Sequence, residues 1–219
     1  MIEEIKFSDS LTIWKARYEF KDKEKCILDC NLHISKYLTR FGNSTTIDAY
    51  AYFMLNEYKN LFYKKLNIQN ELDEIVLCGI NTIIDLHQTI YNKDYNKIYT
   101  DNWINTVKIN PTQKIWTKEN DLIFHQHTDL NNKMGRIEPE FTYVTYIQMP
   151  NNLSDTDGVL YMKDLEGKIF NYLPKEGDII IMKGNIEHTP NHAPHSTLDR
   201  IVMAGNVTLV NEKLIKTLL

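Results

Sequence analysis

The residues best suited to chemistry in this chain lie in three separated places: the run Phe124-His125-Gln126-His127-Thr128-Asp129, a lone His188 after a strand-like stretch, and Arg200 at the start of the next apolar run. Residues i and i+2 of a strand project to the same side, so His127 and Asp129 can offer an imidazole and a carboxylate to one cation. The third ligand must come from elsewhere, and His188 stands just beyond Gly177-Asp178-Ile179-Ile180-Ile181-Met182, which reads as a buried strand ending in a polar turn. Such strand ends form the mouth of a small barrel. Two histidines and one carboxylate with open coordination positions are the ligand set expected of a non-haem Fe(II) centre. A His-x-Asp pair alone is weak evidence; the later histidine and the strand arginine strengthen it.

Arg200 is one of only four arginines among 25 basic residues, and it leads directly into Ile201-Val202-Met203-Ala204. A charge entering a buried strand needs a partner. The planar guanidinium grips a carboxylate through two parallel hydrogen bonds, each charged bond contributing on the order of 1.5–3 kcal/mol. The far carboxylate of 2-oxoglutarate is one candidate; an internal pair with Asp178, or exposure at the strand start, is the plainer alternative.

These residues need a rigid frame. Ile5, Phe7, Leu11, Ile13 and Trp14 alternate loosely and suggest an opening strand or extended arm. Three helices are expected next. The first runs from Asp22 to Phe41 and ends at Gly42-Asn43; the second follows the N-cap cluster Ser44-Thr45-Thr46 and repeats Tyr50, Phe53, Met54, Tyr58 and Leu61 to Leu66; the third spans Glu71 to Ile98. From Asn102 onward short runs rich in Ile, Val, Tyr and Thr alternate with polar turns, which is strand chemistry. Candidate strands are Trp103 to Ile109, Leu122 to Thr128, Phe141 to Met149, Gly158 to Lys163, Lys168 to Tyr172, Asp178 to Lys183 and Arg200 to Val210. Many short strands at this spacing argue a sandwich, jelly roll or barrel. The expected layout is one domain: residues 1–100 as N-terminal arm and helical support, 101–210 as a β-rich core, and 211–219 as a tail.

Composition excludes several classes. Hydrophobic content of 42% and charged content of 25%, with 8 Gly and 6 Pro, describe an ordinary globular chain. A net charge of −4 provides no footprint for a polyanion, so nucleic acid is not the favoured partner. The start, Met1-Ile2-Glu3-Glu4-Ile5-Lys6, lacks the basic and apolar regions of a secretory signal, and no apolar run reaches the roughly 18 residues that span a bilayer. Cys26, Cys30 and Cys78 form an odd set without Cys-x-x-Cys spacing, and Cys26 and Cys30, four apart on a helix, read as buried small hydrophobes. Reduced thiols fit a cytoplasmic protein.

The order His127-Thr128-Asp129, then Phe141-Thr142-Tyr143-Val144-Thr145-Tyr146-Ile147-Gln148-Met149-Pro150, Asp157-Gly158-Val159-Leu160-Tyr161, Pro174-Lys175-Glu176-Gly177-Asp178-Ile179-Ile180-Ile181, His188 and Arg200 resembles the 2-oxoglutarate/Fe(II)-dependent oxygenases, above all prolyl-hydroxylase-like proteins of bacteria and phages. The likeness covers residues 101 to 210. It implies a double-stranded β-helix (jelly roll), mainly β with flanking α, carrying Fe(II) at its open end. It further implies His127, Asp129 and His188 as metal ligands and catalytic centre, Arg200 as anchor of the far carboxylate of 2-oxoglutarate, and Tyr146 as a second contact to it. Phe141 to Met149 carries a Tyr on either face, so Tyr146 is equally readable as a core aromatic under the helices. The implied activity is a dioxygenase that uses O2 and 2-oxoglutarate and releases succinate and CO2, most simply as a hydroxylase.

One departure from the pattern matters. His125-Gln126-His127-Thr128-Asp129 satisfies both His-x-His and His-x-Asp, so the ligands can also be His125, His127 and His188, with Asp129 orienting an imidazole. His127 with Asp129 is favoured because the carboxylate completes the facial triad, whereas three histidines suit zinc or a cupin equally well. His192 and His195 read as exposed loop residues or substrate contacts. The rival to an oxygenase is a non-catalytic or cupin-like metal-binding β-barrel. The substrate, a small molecule or a peptidyl side chain, and the oligomeric state are not legible.

Overall fold

The computed structural model describes residues 1–36, 47–107, 124–127, 140–151, 158–191 and 196–211. In chain order their elements are β1 (Glu3–Lys6), β2 (Thr12–Arg17), α1 (Lys23–Lys36), β3 (Ile47–Tyr58), α2 (Lys59–Lys65), α3 (Glu71–Tyr91), β4 (Lys97–Val107), β5 (Phe141–Gln148), β6 (Leu160–Lys163), β7 (Ile169–Tyr172), β8 (Asp178–Lys183), β9 (His188–Pro190) and β10 (Arg200–Val210). The strands form a seven-stranded sheet, ordered β1-β2-β8-β5-β10-β4-β3, and a three-stranded sheet, ordered β7-β6-β9. All pairings are antiparallel. The result is the expected double-stranded β-helix, a jelly roll supported by helices.

The large sheet separates two apolar layers. On one side Tyr143, Ile147, Met203 and Val207 pack beneath α3 through Ile75, Ile80 and Ile83. On the other, Tyr146, Val202, Ile180 and Met182 meet Leu160 and Met162 of the small sheet. Alternation along β5 and β10 makes this division: consecutive side chains leave opposite faces, and both strands are buried over most of their length because both faces are covered.

The first hundred residues differ from their sequence pattern in three ways. The opening arm is a hairpin whose second strand, β2, pairs with β8 and so extends the main sheet. Residues 47–58, read as the start of the second helix, form strand β3 instead, with only Lys59–Lys65 helical beyond it. Ile47–Tyr58 is rich in aromatic residues that serve either period, and pairing along the outer edge of β4 decides in favour of strand. The third helix stops at Tyr91, short of Ile98, because Asn92 takes a left-handed conformation (φ 47°) and its N–H caps Gln88. At its start Asn70 accepts from the Asp73 N–H at 3.0 Å. The first helix is described from Lys23 to Lys36, and its expected end at Phe41 lies outside the described residues. Of the expected strand Leu122 to Thr128, residues 124–127 are described and form no strand: His125 makes an isolated bridge to His188, and the chain turns helical at His127. Cys26 and Cys30 are buried and free, as their spacing suggested. No described helix is long and apolar enough to cross a membrane.

Tyr143 locks helix to sheet. Its ring is fully buried between Gly79 of α3 and Gly205 of β10, and its hydroxyl donates to Asn102 Oδ1 at 2.6 Å. A Cβ on Gly79 would stand 2.5 Å from the ring, and one on Gly205 would meet the ring from the other side at 2.5 Å. The ring therefore has no room to retreat. Alanine in a helix is ordinarily favoured over glycine by about 1 kcal/mol, but overpacking a filled core costs about 1–3 kcal/mol. Gly79→Ala should accordingly lower stability, with Tm falling by several degrees in a thermal melt; a rise would show that the ring can move.

Candidate metal centre

Main-chain pairing brings the two distant histidine segments together. The His125 N–H donates to the His188 carbonyl at 3.1 Å, and the His188 N–H returns to the His125 carbonyl at 2.9 Å. The His127 N–H donates to the Gly184 carbonyl at 3.0 Å, which fixes the same segment to the turn after β8. The imidazoles converge as a consequence. His127 Nε2 and His188 Nε2 are 3.3 Å apart, and one ring nitrogen from each of His125, His127 and His188 lies within 4.8 Å of the others.

The chemistry of these rings suits a cation. His188 Nδ1 is 3.0 Å from the Ile186 carbonyl, which can only accept, so Nδ1 carries the hydrogen and Nε2 keeps its lone pair. His127 is buried and stacks on Trp103 of β4 at 5.6 Å between ring centroids. Burial, with His125 adding to it, holds its pKa down at about 3, and burial pushes His188 well below its ordinary value. Both rings are thus neutral donors at physiological pH, the form a metal requires. Asp129, the carboxylate of the favoured ligand set, and His192 and His195 lie outside the described residues.

The expected cosubstrate anchor lies on the same inner face. Val202 of β10 is opposite Asn105 of β4 on one side and Tyr146 of β5 on the other, and Arg200 shares its face two residues along. Tyr146 therefore faces the barrel interior, while Tyr143 is the aromatic under the helices. Tyr146 is pushed up to about 12 by burial, with the Arg200 guanidinium acting the other way. Arg200 is 4% exposed, and its Nε finds no hydrogen-bond partner among the described residues. Asp178, the internal partner considered for it, is taken by Arg17, whose Nη1 is 3.2 Å from Asp178 Oδ1. A buried guanidinium with an unmatched donor has the capacity to pair with a further carboxylate.

Sequence reasoning missed Trp103 as the aromatic wall behind His127, the Gly184 and Ile186 carbonyls, and strand β9 itself, which begins at His188. Alternation in the Trp103 to Ile109 run could have marked Trp103 as inward; nothing local marks a carbonyl.

No family model and no curated protein matches the chain. Solved structures do. A Pseudomonas putida prolyl-4-hydroxylase superposes with a TM-score of 0.51 at 11% identity, covering 91% of this chain and 92% of its own. The non-haem alpha-ketoglutarate-dependent epimerase SnoN from nogalamycin biosynthesis reaches a TM-score of 0.56 at 9% identity, covering 90% and 77%. A full-length Neurospora crassa protein in complex with alpha-KG reaches 0.51 at 9% identity, covering 89% and 74%. The fold is that of the 2-oxoglutarate/Fe(II) oxygenases. His188 opens a strand of the smaller sheet, where it is opposite Met162, a residue of the apolar layer between the two sheets.

Glu140 supports the metal-centre segment from behind. Its carbonyl accepts from the Gly184 N–H at 3.1 Å, and its carboxyl lies 3.5 Å from His87 Nε2. Burial raises its pKa to about 7, against the attraction of Lys93 and Lys183. The folded state then holds this proton more tightly than the unfolded state, so stability falls as pH rises from about 4.5 through 7. Glu140→Gln should remove that loss and leave the variant more stable than the parent at pH 8, by on the order of 2–3 kcal/mol, with the gap closing near pH 5 in urea melts.

Proposed function

We propose that this protein is an Fe(II)- and 2-oxoglutarate-dependent dioxygenase that hydroxylates a small-molecule or peptidyl substrate. The observation that carries the reading is the conjunction of converging neutral imidazoles, one of them stacked on Trp103 of the large sheet, with a buried guanidinium of that sheet that keeps an unmatched donor. The fold shared with a prolyl-4-hydroxylase and an alpha-ketoglutarate-dependent epimerase supports it.

His127 and His188 would hold the metal through Nε2, and Asp129 would complete the facial triad. Bound Fe(II) would supply activation of O2 coupled to decarboxylation of 2-oxoglutarate, so that one oxygen atom enters succinate and the other the substrate C–H, with release of CO2. The protein's own part is geometry. The Ile186 carbonyl sets the His188 tautomer, Trp103 fixes the plane of His127, and Arg200 with Tyr146 receives the far carboxylate of 2-oxoglutarate. The apolar layer around Val202, Ile180 and Met162 keeps water from the inner face. Three free cysteines suit a reducing compartment, and we place the protein in the cytoplasm.

A second reading follows from His125, which joins the histidine cluster: a three-histidine metal centre of cupin type that needs no 2-oxoglutarate. Purified protein given Fe(II), O2 and 2-oxoglutarate should form succinate, and Asp129→Ala should abolish it while His125→Ala retains it. The reverse pattern would select the three-histidine set. Tight zinc with no melting shift from N-oxalylglycine would remove the oxygenase reading. Arg200→Ala should raise KM for 2-oxoglutarate by roughly ten- to a hundredfold, the loss of a charged bidentate contact; an unchanged KM would take Arg200 out of the anchor.

A further inference from the structure

The strand that carries Arg200 is secured at its start by side chains. Arg200 is the first residue of β10 and is opposite Val107 of β4, but on the β5 side the ladder reaches only to Ile201, opposite Gln148. There β5 is out of step: Val202 is opposite Tyr146 and Ile201 opposite Gln148, so Ile147 is an extra residue, a β-bulge. A bulge re-aims the side chains that follow it. Met149 thereby joins Tyr146 in the inner apolar layer, in the place that an unbroken register would give to Gln148.

Past the bulge β5 offers β10 no main-chain donor. The Met149 N–H is given to Glu176 Oε1 at 3.1 Å, Pro150 has none, and the Asn151 N–H goes to Ser196 Oγ at 2.9 Å. The Asp199 carbonyl, half of the peptide group that leads into Arg200, takes its donor from a side chain instead: Gln148 Nε2, at 2.7 Å. Asn151 extends the clasp, its Oδ1 accepting from the Thr197 N–H at 2.7 Å and its Nδ2 donating to Thr197 Oγ1 at 2.8 Å. Ser196 is buried and accepts from the Leu198 N–H at 3.0 Å, so each residue from Ser196 to Asp199 is held by one of these bonds.

We propose that Gln148 and Asn151 are positioning residues for cosubstrate binding: their side-chain clasp fixes the Asp199–Arg200 peptide, and with it the direction in which the Arg200 guanidinium leaves the strand. This rests on the oxygenase reading above. Strand ends are the parts of a sheet that open most readily, and a rotation of the peptide ahead of Arg200 is carried along the whole length of its side chain. A bidentate contact between guanidinium and carboxylate tolerates little misplacement. The clasp spends three side-chain bonds on the four residues before Arg200, where the main chain of β5 supplies none.

Calorimetric titration of Fe(II)-loaded protein without O2 tests this with two probes, 2-oxoglutarate and oxalate, a metal chelator that lacks the far carboxylate. Gln148→Met keeps the length of the side chain and removes its donor; it should weaken 2-oxoglutarate about tenfold and leave oxalate within about twofold of the parent. Asn151→Ala should weaken 2-oxoglutarate about threefold with the same selectivity. A general loosening of the fold would weaken both probes alike, so an equal loss overturns the proposal, as does unchanged 2-oxoglutarate affinity in Gln148→Met. If Gln148→Met does not fold, Asn151→Ala decides by the same comparison. A parent protein that binds Fe(II) and oxalate but no 2-oxoglutarate would remove the oxygenase reading itself, and this inference with it; a parent that binds 2-oxoglutarate beside an unaffected Gln148→Met removes the inference alone.

Discussion

Two reciprocal main-chain hydrogen bonds, between His125 and His188, are the constraint on which the site depends. Without them the histidines belong to unrelated stretches of chain; with them, rings from both stretches share a volume small enough for one ion. The bonds cost little because strand pairing would satisfy those backbone groups in any case. What makes the meeting specific is its surroundings: the Gly184 carbonyl on one side, the Ile186 carbonyl on the other, and the face of Trp103 behind His127. Each restricts a torsion or a tautomer, so the donor atoms are set before any ligand arrives.

The large sheet provides the second requirement, a dry face with few charges. Its two surfaces have different tasks, and alternation in β5 and β10 keeps them apart. Tyr143 and Gly205 belong to the helix side, where close approach of α3 demands two glycines around one ring. Tyr146, Val202 and Arg200 belong to the inner side. A one-residue slip in β10 would exchange the two sets, seating Arg200 under the helices and Met203 in the barrel. Pairing of β10 with both β4 and β5 over most of its length prevents that slip.

Charge on the inner face is arranged so that one guanidinium keeps an unmatched donor. Asp178 is neutralised locally by Arg17 and tied down by Lys175 and Tyr172. Arg200 is left with an incomplete donor set among the described residues, a state that costs stability in the free protein. The Arg17 hairpin, read from sequence as a peripheral arm, is in this way tied electrostatically to the interior.

Much of this was legible residue by residue. The strands β5, β8 and β10 announce themselves through β-branched and aromatic runs, and His127, His188 and Arg200 stood out because histidines and arginines are scarce, the last two at strand starts. The sequence by itself determined the mainly β architecture and the supply of candidate metal donors, since those depend on local period and residue chemistry; it left Arg200 open between burial and exposure. It did not determine that Ile47–Tyr58 is a strand, because aromatic residues satisfy helical and extended periods alike until an edge such as β4 is there to pair with. Nor did it determine which face Tyr146 occupies, that His125 joins the cluster, or that Asp178 belongs to Arg17. Those are decided by register and by distances between segments far apart in the chain, quantities that exist only once the sheets have closed.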